Sequence, residues 1–304
     1  MTAAAPMVGL LYNPAVPAVL DAAGELVDFV EVIPDRLWYD FGANAPGRFA
    51  HVHGAIAEVR RHAERHALIG HGIGLSLPSA MPLDEAVLDE VAASHRCLGY
   101  RWYSEHLSMF LTPEGSVPDA QAGMGLPMVH DAETLAIVGQ KVRQLQDALD
   151  VPVLLENGTI FSAVPEPEMS EPEFMNRLHA ETGCGLLLDL HNLYANSLNL
   201  GWDADDYLRA IDPEIVVEIH LAGGDWLLSH YTDSHSRRTP DRVWAWLREW
   251  GPRFPNLAAI TFEYHESYHK RIGLGGVIEE LERMHDHASE IALARAPAPV
   301  PVPC

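Results

Sequence analysis

The chain has 304 residues, 48% of them apolar, a length normal for an α/β barrel and a composition that argues against global disorder. Acidic residues outnumber basic ones 43 to 20, for a formal net charge of −23. Phosphate backbones repel such a surface, and basic pairs such as Arg237-Arg238 and Lys270-Arg271 are isolated, so no nucleic acid is expected as a partner.

Three cysteines (Cys97, Cys184, Cys304) are too few and too scattered for a disulfide framework or a zinc knuckle, and Cys97 and Cys184 read as core thiols. The opening MTAAAPMVGLLYNPA lacks a basic segment and a long apolar run, and no stretch approaches membrane-spanning length. A soluble, cytoplasmic protein without a membrane partner is expected. The 17 histidines point toward metal.

In chain order, short apolar runs alternate with longer amphipathic ones, as in repeated βα units around a parallel sheet. The strand candidates are MVGLLY (7–12), DFVEVI (28–33), ALIGHGIGLSL (67–77) and YRWYSEHLSMF (100–110). PVLLEN (152–157), GLLLDL (185–190), VVEIHLAG (216–223) and AAITFEY (258–264) complete the set. Eight strands close a (β/α)8 TIM barrel. Helical patterns lie between them: Leu135, Val138, Val142, Leu145 and Leu149 recur at spacings of three and four. Ser170, Glu173 and Gly183 bracket a capped helix. One barrel domain over residues 1–290 and an extended Pro/Ala-rich tail over 291–304 are expected.

The working site of such a barrel lies at the C-terminal strand ends. Those ends read Glu31, His71, His106, Glu156, Asp189, His220 and Glu263 on strands two to eight. Acids (43) and histidines (17) are a minority of the chain, so their recurrence at seven consecutive strand ends is not a chance pattern. Alternation places Leu187, Asp189 and His191 on one inward face, and Glu218 on the face of His220. Converging buried carboxylates and imidazoles are costly unless paired or metal-bound. Nitrogen and oxygen donors without thiolate suit zinc, manganese or non-heme iron, and seven or more ligands call for two or three ions. Glu156, mid-series, suits a bridge between ions.

Asp233 and His235 form a D-x-H pair after the seventh strand, read as further ligands. Asn157 and Asn192 follow strand ends and could ligate, orient substrate or cap helices. His191 is a ligand or a hydrogen-bond partner of Asp189. Glu31 could instead pair with an arginine at the rim, and Glu105 with Arg101 on the outer surface. His51, His53, His62, His66, His265 and His269 read as surface or supporting residues.

HGIGLSL, SEHLSMF, LLENGTIF, EMSEPEFMNRLHAETGCGLLLDLHNLYANSLNLGWDADDYL, EIHLAGG and TDSHSRRTPDRVWAWL follow in that order. Together they resemble the multinuclear non-heme iron-dependent oxidases of the methanobactin-maturase type, over residues 7 to 287. The resemblance implies a xylose-isomerase-like barrel whose ligand layout parallels three-metal endonuclease IV. It implies one iron at His71, His106 and Glu156, and a second at Asp189, His220, Glu263 and Glu156. Asn192, Asp233 and His235 match the position of a third ion. Two or three irons, mixed Fe(II)/Fe(III), would use dioxygen to modify a residue, most often cysteine, of a ribosomally made precursor peptide. A small partner protein commonly delivers the peptide. Glu156, Asp189 and His191 are the expected catalytic residues. Two departures stand out: LDLHN replaces LDVNN, putting His191 for asparagine, and Glu263-Tyr264-His265 replaces E-W-D. The alternative is a divalent-metal-dependent hydrolase or isomerase of the endonuclease IV or xylose isomerase type. A metal-free binding barrel would leave the converging side chains unexplained.

Overall fold

The computed structural model describes residues 4–111, 121–164 and 167–295. Eight parallel strands close a barrel: β1 (Met7–Leu11), β2 (Phe29–Val32), β3 (Ala67–Gly72), β4 (Tyr103–His106), β5 (Val153–Glu156), β6 (Gly185–Asp189), β7 (Val216–Leu221) and β8 (Ala259–Phe262). Sequential strands pair, and β8 closes on β1. The expected single (β/α)8 barrel is the fold of this chain.

Period two along each strand divides the barrel into layers. Phe29, Ile69, Trp102, Leu154, Leu187 and Ala259 point inward and form an apolar plug, separate from the large cluster between strands and helices. Gly9 makes room for it, because a Cβ there would lie 2.6 Å from the Phe29 ring. Two residues further along the same strands stand Glu31, His71, Ser104, Glu156, Asp189 and Thr261, all buried. The apolar plug closes this polar layer from below. Register completes the arrangement: His106 pairs with Glu156, and Asp189 with His220, across neighbouring strands.

Several strand ends fall short of expectation. β3 stops at Gly72 because carboxylates take over the next amides: Ile73 N donates to the half-buried Asp35 at 3.2 Å and Leu75 N to the buried Glu105 at 2.9 Å. The run from Tyr100 to Phe110 divides into β4 and a separate strand, Met109–Leu111, paired antiparallel with Gln121–Leu126. β6 ends at Asp189, whose Oδ1 accepts from Asn192 N at 2.8 Å and caps the helix Leu190–Leu200. His191 is therefore helical and owes its burial to the helix start, not to strand alternation.

The helices Ala132–Leu149 and Glu171–Thr182 form where expected, the latter capped by Ser170 and ended by Gly183 at φ +73. Helix Leu274–Arg295 carries past residue 290, where the tail was expected to begin; residues 296–304, including Cys304, lie outside the described residues. Cys184 is buried, but Cys97 is exposed on the helix Glu85–Leu98 and is not a core thiol. Among the described residues, no helix is long and apolar enough to cross a membrane.

Candidate metal centre

The polar layer holds the side chains picked from the strand ends in contact with one another. His71 Nε2 lies 3.1 Å from His106 Nε2 and 3.5 Å from Glu156 Oε2, which is 3.0 Å from His106 Nδ1. His220 Nδ1 faces Glu263 Oε2 at 3.1 Å. Among the described residues, four groups have ligand atoms all within 4.8 Å of one another: His71/His106/Glu156, Glu156/Asp189/His220, His71/His220/Glu263 and Glu31/Glu218/His220. Glu156 belongs to two of them, as a bridging carboxylate would.

The loop after β7 supplies a further group. Asp233 Oδ1 lies 2.9 Å from His235 Nε2 and 2.9 Å from His191 Nδ1, and His235 Nε2 is 3.5 Å from Glu263 Oε2. His235 takes a positive φ of 49 to reach this position. Asn192 Nδ2 donates to Glu156 Oε1 at 3.2 Å, while its Oδ1 accepts from Thr159 Oγ1. In this arrangement Asn192 orients the central carboxylate. Asn157 caps no helix: its Nδ2 donates to Asp189 O, and its Oδ1 accepts from Asp189 N at 2.8 Å, tying β5 to β6 at the centre.

Hydrogen bonds fix which imidazole nitrogens face inward. His71 Nδ1 is 2.8 Å from Ser104 Oγ, whose hydroxyl donates to Gly70 O, so the hydrogen sits on Nδ1 and the Nε2 lone pair points into the centre. Likewise His220 Nε2 meets Glu31 at 3.0–3.2 Å, leaving Nδ1 toward Glu263. Glu31 is thus no rim residue paired to arginine. It is fully buried and also lies 3.8 Å from His71 Nδ1. Glu105, expected outside, is buried too, and accepts from Tyr103 Oη at 2.7 Å. Glu218 sits one layer below His220, held by Trp102 Nε1 at 2.7 Å and Thr261 Oγ1 at 2.9 Å.

The electrostatics are those of densely packed, opposed charges: against burial, Glu263 and Glu31 raise His220 well above its ordinary value, and Asp233 and Glu263 raise His235 to about 10. Burial pushes the Glu156 carboxyl well above the carboxylate range, and burial with the nearby Asp233 and Glu263 charges raises Asp189 to about 7. Burial, reinforced by His106 and His220, drives His71 well below its ordinary value, and burial lowers His106 to about 4. Glu156 Oε2, Asp189 Oδ2, His220 Nδ1 and His235 Nε2 are buried without an aligned hydrogen bond. Lone-pair atoms facing one another near 3 Å repel unless a proton or a cation lies between them. Ligand atoms about 2.1 Å from a shared ion, at right angles to each other, are separated by about 3 Å. The nitrogen and oxygen donors therefore fit a hard or borderline divalent or trivalent ion.

Of the other histidines, His265 faces its own turn, accepting from Ser267 N, and does not join the centre. His51, His53, His62, His66 and His269 also lie outside the barrel interior, exposed or half-buried. Reading the strand ends missed Ser104 and Tyr231. Ser104 stands two residues before His106 on the same face, so alternation would have found it. Tyr231, whose Oη is 3.5 Å from His191 Nε2, left no local signal.

Known structures with this fold include D-psicose 3-epimerase of Clostridium cellulolyticum (TM-score 0.57, 10% identity, 94% of this chain and 99% of that one). Endonuclease IV of Thermus thermophilus is another (TM-score 0.53, 15% identity, 94% and 100%). At these identities the likeness is one of fold. Among sequence relatives, the UPF0276 protein of Caulobacter vibrioides is 32% identical over 250 residues, 82% of this chain and 84% of the relative. The UPF0276 protein of Chromobacterium violaceum is 39% identical over 196 residues, 64% of this chain and 68% of the relative. A profile for the RiPP precursor modification enzymes MbnB/TglH/ChrH matches residues 7–287. That span runs from the first residue of β1 into the last described helix and takes in every side chain of the centre, so the chain belongs to the MbnB/TglH/ChrH family of RiPP precursor modification enzymes.

Proposed function

We propose that this protein is a multinuclear non-heme iron-dependent oxidase that uses dioxygen to modify a residue, most often cysteine, of a ribosomally made precursor peptide in the cytoplasm. A small partner protein would deliver the peptide. The observation that carries this reading is the set of buried, unaligned donor atoms on Glu156, Asp189, His220 and His235 beside the family match. His71, His106 and Glu156 would hold one ion, and Asp189, His220, Glu263 and Glu156 a second. Asp233 and His235, with Asn192 beside Glu156, would complete a third site.

Bound iron supplies redox chemistry with dioxygen and, as a Lewis acid, acidifies a bound thiol or carboxyl group. The chain's own residues do the positioning. Ser104 and Glu31 hold His71 and His220 in the tautomers that present lone pairs to the centre. The plug below Glu156 and Asp189 keeps water out from the N-terminal side. His106, Asp233 and His235 are the partly exposed members, with side chains about one fifth accessible, so substrate reaches the centre on their side. The Phe110 ring meets His106 edge-on at 5.8 Å and walls that approach.

The test is elemental analysis and Mössbauer spectroscopy on protein purified under nitrogen without added metal. Two or three irons per chain in a coupled, mixed-valent state support the oxidase. Zinc or manganese without iron, or iron-loaded enzyme that consumes no dioxygen with its peptide, sinks it. The same donors suit zinc and manganese, so that second outcome would favour a hydrolase or isomerase.

A further inference from the structure

The loop after β7 carries a β-hairpin, Asp225–Leu227 against His230–Thr232, whose next residue is Asp233 of the centre. Its tip displays three consecutive large apolar side chains: Trp226 is 57% exposed, Leu227 66% and Leu228 95%. Leu228 holds a positive φ of 55, a conformation that bulky side chains adopt at a cost. A solvent-facing turn has no need of leucine there. The hairpin base is rigid, because Tyr231 N and O are both bonded to the Asn199 amide at 2.8 and 2.9 Å. Aromatic contacts run inward from the tip: Trp226 to Tyr231 at 5.7 Å and Tyr231 to His191 at 5.6 Å.

The Asn199 bonds also settle the edge. Tyr231 directs its backbone N–H and C=O away from the hairpin, so the Trp226–Tyr231 pair is of the non-hydrogen-bonded kind. The Trp226 N–H and C=O then face outward on the opposite edge. An extended chain laid there gains main-chain hydrogen bonds at Trp226 and an apolar contact at the tip.

We infer that this hairpin docks an extended, apolar segment of the precursor peptide, a reading that rests on the proposed peptide substrate. The five residues from Leu228 to Asp233 span at most about 17 Å, so a peptide position roughly five residues from the one modified reaches the tip. Charge argues for this occupant over others. At −23 the chain repels a second copy and anionic lipid alike. Arg237 and Arg271 beside the hairpin are engaged by Asp225 and offer lipid headgroups little. Three side chains are also too small a patch for a stable protein–protein interface.

The probe is a displayed library of random 12-residue peptides, selected under nitrogen on the full chain as purified without added metal. Enriched peptides should carry apolar residues at alternate positions and bind the Trp226→Ser/Leu228→Ser double variant at least tenfold more weakly. They should also protect the Trp226 amide from hydrogen exchange. Leu228→Gly, which relieves the positive φ, guards against misfolding and should weaken binding as well. No enrichment on the wild type over the double variant, or an unprotected Trp226 amide, overturns the inference. So does a wild-type dimer, or binding to phosphatidylglycerol vesicles, that the double variant abolishes. Iron content, read on the same samples, keeps the two readings apart: iron without tip-dependent peptide binding sinks only the docking, and tip-dependent binding without iron sinks only the oxidase.

Discussion

His191 Nδ1 and Asp233 Oδ1 meet at 2.9 Å, joining the first turn of the helix after β6 to the loop after β7. His191 is fully buried, and Asp233 reaches His235 with the same oxygen. The two imidazoles hold the Asp233 carboxyl well below its ordinary range against the opposing effect of burial. Removing one of them loosens a residue proposed to hold the third ion. His191→Asn should weaken that ion about 10- to 100-fold while leaving the other sites filled. Iron titration under nitrogen checks this, and unchanged affinity would mean that His235 alone orients Asp233.

Glu156 lies between both inner ligand groups, so it should be the least replaceable carboxylate. Glu156→Gln keeps the shape and removes the charge. Iron content should fall by at least half and dioxygen uptake should be lost, with the fold retained by circular dichroism. A variant that kept its full metal complement would show that Glu156 is not a bridge.

Gly72 sits directly after His71, where a Cβ would lie 1.7 Å from Tyr103 Oη and 2.0 Å from Glu105 Oε2. Gly72→Ala must displace this pair and with it the Leu75 amide that Glu105 holds. A loss of about 1–3 kcal/mol in urea denaturation is expected, together with weaker iron binding at His71. Equal stability of the two proteins would show that the loop yields freely.

Glu171 titrates away from the centre. It is buried at the start of its helix, and burial raises its carboxyl to about 8. An unfolded glutamate titrates near 4.3, so between about pH 4.5 and 8 the folded chain holds a proton that the unfolded chain has released. Stability from this residue is therefore lost as pH rises through that window. Glu171→Gln should remove the loss, raising the melting temperature at pH 8 relative to wild type by an amount worth a few kcal/mol at most. Identical pH profiles for the two proteins would refute the assignment.

The barrel was legible because buried parallel strands read as short apolar runs, and all eight runs became strands. The polar strand ends were legible because period two carries the plug residues Phe29, Ile69, Leu154 and Leu187 up to Glu31, His71, Glu156 and Asp189. His191 shows where that reasoning stops. Its burial was anticipated, but for a reason that failed, since Asp189 caps a helix and ends the alternation one residue too soon. Glu105 and Glu31 were misjudged for a related reason. Local pattern says that a carboxylate is present, but its partner is chosen across strands: Leu75 N and Tyr103 Oη for one, His220 for the other.

By itself, the sequence determined the strand count, the apolar floor of the barrel and the chemical character of its upper face, because side-chain period and polarity are local properties. Tertiary structure alone decided which nitrogen of His71 and His220 faces the centre, how His235 reaches both Asp233 and Glu263, and that Trp226, Leu227 and Leu228 stand exposed beside it. Those outcomes depend on hydrogen bonds between residues far apart in the chain, and such partners exist only once the barrel has closed.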